Sequence, residues 1–148
     1  MIISAASPHE PGAAALLAAS HALMEELFPP EDNFYLGPDA LAQPHISFFA
    51  AKERDETLGI IALANKGDYG EIKSLFVAPS ARGSGLAQRL LAHVEDAARA
   101  QSLPLLRLET GDSLTAAIAL YARAGFARRA PFGDYPDAPS SIFMEKAL

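Results

Sequence analysis

The sequence predicts a mixed α/β domain: a central, mainly antiparallel sheet of six to seven strands flanked by about four helices, in one unit over residues 1–148. Three observations carry that expectation. Three β-rich runs follow one another between residues 46 and 78, joined by turns too short to hold a helix, which makes them antiparallel neighbours. The third run passes through Arg82-Gly83-Ser84-Gly85 into a stretch with Leu86, Leu90, Val94 and Ala97 at helical spacing. A second strand, helix and strand pair then fills residues 103–147. Half of the 148 residues are hydrophobic, enough apolar surface for a single core at a one-domain length.

Taken in order, Met1 to Ala6 is an apolar run that forms an N-terminal strand before Pro8. Pro11 opens a helix over residues 11–27, with Leu16, Leu23 and Leu27 and their neighbours Leu17, Met24 and Phe28 as its apolar stripe, ended by Pro29-Pro30. Glu25 and Glu26 lie on its solvated face. Residues 29–44 carry four prolines and read as a loop with one helical turn near Asp39 to Ala42. Ile46 to Ala51 and Thr57 to Ala64 pair across the charged connection Lys52 to Glu56, and Asn65 to Asp68 turns the chain into a strand at Tyr69 to Ala78. In that strand Ile72, Ser74, Phe76 and Ala78 alternate with Glu71, Lys73, Leu75 and Val77, which assigns them to opposite faces. After the central helix, Leu103 to Glu109 is a strand, and Asp112 or Ser113 caps a helix with Ala117, Leu120 and Ala124 inside. Gly125 stops it, Phe126 to Ala130 is a strand ended by Pro131, residues 131–139 form a second aromatic and acidic loop, and Ser140 to Ala147 closes antiparallel.

The turn at residues 82–85 stands at a helix N-terminus, where four backbone N–H groups lack internal partners and carry partial positive charge. Gly83 and Gly85 leave room for a phosphate oxygen to approach several donors, and Arg82 adds a fixed positive charge suited to a pyrophosphate. The dinucleotide fingerprint is not met, since Gln88 stands where its third glycine belongs, and the P-loop Gly-Lys-Ser/Thr is absent.

What the turn resembles is the acyl-coenzyme A loop of the GNAT superfamily of N-acetyltransferases, whose pattern Arg/Gln-x-x-Gly-x-Gly/Ala is matched by Arg82, Gly85 and Ala87. The family's strand stands before it as Leu75-Phe76-Val77-Ala78-Pro79, and its second motif follows as Ala117-Ile118-Ala119-Leu120-Tyr121-Ala122-Arg123-Ala124-Gly125-Phe126. The closing residues resemble a bacterial branch of small-molecule acetyltransferases. The resemblance implies acetyl-coenzyme A as co-substrate and no metal. In its terms the strands at 70–78 and 103–109 are parallel neighbours that splay apart. Leu75, Phe76 and Val77 then offer backbone groups to the pantetheine arm; Arg82, Gly83, Ser84, Gly85, Leu86 and Ala87 hold the pyrophosphate; and Ala117 and Tyr121 line the thioester end. Tyr121 matches the family's general acid, and the N–H of Val77 would meet the oxyanion. Many members carry Asn where Leu114 stands, so a polar contact is missing there.

Direct acyl transfer to an amine needs no nucleophile, in keeping with the absence of cysteine, but it does need a base. Glu71, acting through a water, is the candidate, because a carboxylate beside an apolar cleft has its pKa raised toward useful values; Glu109 is the alternative. The acceptor side draws on the two loops: Phe34, Tyr35, Asp134 and Tyr135, with Phe132, Glu31, Asp32 and Asp137, describe an apolar rim with surplus carboxylates that suits a cationic small-molecule amine. A protein or peptide N-terminus is the other acceptor class, and a non-catalytic acyl-coenzyme A sensor would share the turn, though not the need for Tyr121. The net charge of −6 argues against nucleic acid and anionic membrane surfaces as partners. No signal peptide or long apolar span is visible, so a cytoplasmic monomer or homodimer is expected. The histidines at 9, 21, 45 and 93 lack metal-site spacing and read as structural.

Overall fold

The structure, a computed structural model, describes residues 1–148. Its seven strands are β1 (Ile2–Ala5), β2 (Ile46–Glu53), β3 (Glu56–Asn65), β4 (Gly70–Val77), β5 (Leu105–Gly111), β6 (Ala127–Arg129) and β7 (Ser141–Ala147). They form one sheet in the order β1-β2-β3-β4-β5-β7-β6, with β4 and β5 as its parallel pair. Four helices cover it: α1 (Pro11–Leu27), α2 (Pro38–Leu41), α3 (Leu86–Ala100) and α4 (Thr115–Arg123). The fold class read from the sequence is the one observed. β7 enters between β5 and β6, so the last strand is antiparallel to both neighbours.

Alternation along the strands divides the core into two layers. On one face Ile61, Leu63, Leu106, Leu108 and Met144 pack under Leu86, Leu90, Leu91, Val94 and Ala98 of α3 and Leu120 and Tyr121 of α4. On the other, Phe48, Ile60 and Ala62 meet Ala13, Leu16 and Leu17 of α1 and Leu41 of α2. Each fully buried Leu or Ile is worth about 1.5–3 kcal/mol, so each layer holds its helices firmly. Ala98, four residues after Val94, joins the buried stripe of α3, and the expected Ala97 beside it is partly buried against the same layer. Neither Asp112 nor Ser113 caps α4; its N-cap is Leu114, without a side-chain hydrogen bond.

β4 departs from regular alternation. Ile60 faces Phe76 and Ala62 faces Lys73, so Ser74 and Leu75 together oppose Ile61 in a bulge, with Ser74 left-handed at φ 59°. The extra residue inverts the rest of the strand. Leu75 and Val77 join Ile72 against the α3 layer, while Phe76 packs with the α1 layer, so the face shared by Ile72 and Phe76 in the expected pattern does not exist. β4 and β5 are in register only at Gly70/Leu106 and Glu71/Arg107. They meet closely there because a Cβ at Gly70 would lie 2.7 Å from Leu63 and 2.9 Å from Leu106. Beyond the bulge the two strands part.

Candidate active site

The gap between β4 and β5 opens into a cleft of about 750 Å³ whose walls come from α1, the 29–44 loop, β4, the turn before α3, β5 and α4. That size is right for a small-molecule site. At one end lies the N-terminus of α3. Gly85 is its N-cap at φ 82°, Gly83 stands at φ 79°, and no side chain caps the helix. The first intrahelical bond is Arg89 N–H to the Gly85 carbonyl, so the N–H groups of Leu86, Ala87 and Gln88 have no partner in the chain. Nothing lies within 4 Å of a Cβ position at Gly83. Beside this open row of donors Arg82 lays its guanidinium over the Phe76 ring at 5.6 Å and donates from Nε to the Val77 carbonyl. Ser84 instead turns its hydroxyl inward to the Ala81 carbonyl. The donor row, fixed positive charge and vacant approach fit a pyrophosphate.

In the middle of the cleft the backbone of β4 is the exposed element. Ala78 donates its N–H to the Leu58 carbonyl across the ladder, so by antiparallel alternation the N–H of Val77 points the other way, into the gap. Leu75 shares that direction, whereas Phe76, in register with Ile60, turns its backbone groups toward β3 and contributes its ring. Opposite, α4 presents Ala117, Leu120 and Tyr121. Tyr121 is 6% exposed and stacks edge-on against Phe126, and its hydroxyl makes no hydrogen bond within the chain. Burial, assisted by the negative charge of Glu109, pushes its pKa well above the ordinary tyrosine value, so the hydroxyl is protonated at neutral pH.

The far end is polar and crowded. Glu109 lines the cleft and accepts from Ser141 Oγ at 2.8 Å. Burial raises its pKa; the Ser141 hydrogen bond and Lys73 oppose the rise, and the charges of Glu71 and Asp32 add to it. Glu71, 5% exposed, sits behind this wall: it accepts from the Tyr135 hydroxyl at 2.5 Å, lies 3.5 Å from Lys73 Nζ, and borders a second, smaller cavity. Asp32 accepts from Ser140 at 2.9 Å. Of the acceptor-side candidates, Phe34 and Tyr35 border the cleft, Tyr135 and the exposed Asp134 border only the smaller cavity, and Phe132 is buried against Tyr69, Tyr135 and Phe143.

Two further residues enter the site. His21 lines the cleft and stacks on Tyr35 with ring centroids 4.0 Å apart; burial lowers its pKa, against Glu25 and a backbone bond at Leu36, so the ring is neutral at pH 7. Its signal was in the sequence, since His21 falls four residues after Leu17 and three before Met24, on the apolar stripe of α1. Lys73 is 12% exposed at its side chain and donates to the Phe34 carbonyl and the Tyr135 hydroxyl; single-residue alternation gave no sign of it.

The family model of the GNAT acetyltransferases matches residues 14–126. The chain belongs to that family. It is 42% identical over 148 residues to an IAA acetyltransferase of Azospirillum brasilense, covering 99% of this chain and 97% of that one. Among solved structures, one assigned as an acyl-CoA N-acyltransferase of Klebsiella pneumoniae superposes with a TM-score of 0.83 at 36% identity, covering 99% of this chain and 97% of the other. A GNAT acetyltransferase of Elizabethkingia anophelis, solved with acetyl-CoA bound, shares the fold with a TM-score of 0.71 at 22% identity and coverage of 99% and 97%. The GNAT chain described here is accordingly an acetyltransferase. No helix is long and apolar enough to cross a membrane.

Proposed function

We propose that this GNAT enzyme moves an acetyl group from acetyl-coenzyme A directly to the amine of a small molecule. The observation that carries the reading is that one cleft is lined by the uncapped start of α3, by Val77 and Tyr121, and by Glu109 with His21 and Phe34. Donors for a pyrophosphate, a protonated hydroxyl and a carboxylate of raised pKa thus share one space. The small-molecule class rests on the size of that cleft and on the likeness to an enzyme that is named for IAA.

Acetyl-coenzyme A supplies the acetyl group already activated as a thioester. The chain's residues do the rest. The N–H groups of Leu86, Ala87 and Gln88, with Arg82, hold the pyrophosphate. Holding both reactants in one cleft removes most of the entropy cost of their encounter. Glu109 takes the proton of the incoming ammonium, for which a carboxylate raised above its ordinary value is better matched than a normal one. Glu71, bonded to Tyr135 and Lys73, keeps the wall in place. The Val77 N–H meets the negative charge that develops on the acyl oxygen, and Tyr121 gives its proton to the departing sulfur.

Acetyl-coenzyme A at one hundred times its dissociation constant should stabilise the fold by about 2.7 kcal/mol, a rise of about 5–10 °C in melting temperature. An unchanged melting temperature would remove the co-substrate from this cleft. Thiol release in the presence of a panel of primary amines then tests transfer itself. Gly85→Val should weaken coenzyme A binding at least tenfold, about 1.4 kcal/mol, because valine is strained at φ 82° and shields the helix N-terminus. Calorimetry on the folded variant checks it: equal affinity would reduce Gly85 to a turn residue.

A further inference from the structure

The second cavity, about 550 Å³, lies on the other side of the acceptor end and shares three lining residues with the cleft: Phe34, Tyr35 and Lys73. These residues are therefore a partition with open space on both sides. It is built with unusual care. Lys73 Nζ donates to the Phe34 carbonyl at 3.2 Å and to the Tyr135 hydroxyl at 2.7 Å, and that hydroxyl donates to Glu71 at 2.5 Å. The Phe34 and Tyr135 rings meet edge to face at 5.5 Å. One buried ammonium thus ties the 29–44 loop to the 131–139 loop and to β4, and each donor and acceptor in the knot is satisfied. Four polar groups with little access to water would be costly to hold half-bonded, so the wall has one arrangement.

We propose that Phe34, held by Lys73 and Tyr135, is the end stop that sets how long an acceptor this enzyme takes, and that the smaller cavity is space withheld from the acceptor. The inference rests on the acyl-transfer reading of the cleft. It assigns the acceptor as a primary amine whose apolar body ends at the Phe34 ring. Removing that ring joins the two spaces, so the body of a longer amine extends toward Tyr69, Tyr135 and Asp134. Each methylene that gains burial is worth about fourfold in affinity, so two already exceed tenfold.

The test does not require the natural acceptor. Coenzyme A joined through an S-acetyl bridge to n-alkylamines of increasing length gives probes that fill both halves of the cleft, and calorimetry reads their binding without turnover. In the wild type, affinity should climb with chain length and then stop climbing at the wall. In Phe34→Ala the ratio of longest-probe to shortest-probe affinity should rise at least tenfold. Phe34→Leu, which keeps an apolar side chain on this half-buried loop position, should move the same way by a smaller factor and covers the case in which alanine loosens the loop. Lys73→Met, with similar volume but no bonds to the Phe34 carbonyl or Tyr135, should also raise the ratio. A ratio unchanged in all three variants, while short probes still outbind coenzyme A, overturns the end stop alone. Probes that never outbind coenzyme A in the wild type overturn both the acceptor cleft and the stop built on it.

Discussion

Tyr121→Phe should lower kcat by about ten- to a thousandfold while leaving coenzyme A affinity nearly unchanged. The hydroxyl has no partner within the chain and lines the cleft, so its loss leaves no orphaned group and melting temperature should not fall. On the proposed mechanism the variant lacks a proton donor needed only as the carbon–sulfur bond breaks, and such a loss appears in kcat and in kcat/KM alike. The pH profile sharpens the test. A tyrosine acting as acid loses rate as pH rises through its pKa, and burial with the Glu109 charge places that limb above the ordinary tyrosine value of about 10. The wild type should therefore show no alkaline decline from this group below that pH. Equal turnover of the two proteins would mean that water protonates the sulfur.

How much of this was legible in the sequence depends on how local the cause is. The turn at residues 82–85 and the helix behind it were readable because left-handed glycines and a 3.6-residue apolar repeat act within a few residues. Helix α1 came out with its observed bounds for the same reason, fixed by Pro11 at one end and Pro29 at the other. The bulge at Ser74 did not. Serine at φ 59° has no local signature, and the conformation is held by pairing to Ile60 and Ala62, more than ten residues away. That single residue decides that Leu75 and Val77, and not Phe76, share a face with Ile72. The pair of candidate carboxylates was likewise readable as a pair but not in its division. Both point to the α1 side of the sheet, yet only the pairing of β4 with β5 and the position of Tyr135 put Glu71 behind the wall and Glu109 in the cleft. Lys73 enters the site by tertiary placement, and tertiary placement likewise buries Phe132 in an aromatic cluster away from the cleft.

Glu109→Gln carries the largest effect, a loss of about a hundred- to ten-thousandfold in kcat/KM for an amine acceptor. Glutamine keeps the shape and can still accept from Ser141, but it cannot take a proton. Two pH signatures follow from the direction of its shift. In the wild type, kcat/KM should fall as pH drops through a pKa above the ordinary carboxylate value of about 4.3, because the protonated acid is no base; the variant should lack that limb. The stability effect has the opposite sense. A carboxyl whose pKa is raised on folding binds more protons in the native state than in the unfolded one, so stability falls as pH rises from the unfolded to the folded pKa. Above that window the charged, desolvated Glu109 costs the fold a constant amount, which the neutral amide escapes. Glu109→Gln should therefore melt higher than the wild type at pH 7, and the difference should shrink as pH falls through the raised folded pKa and be gone by about 4.3. An inactive variant that melts at a lower temperature at neutral pH would point to a structural role. A fully active one would move the base to Glu71 or to water.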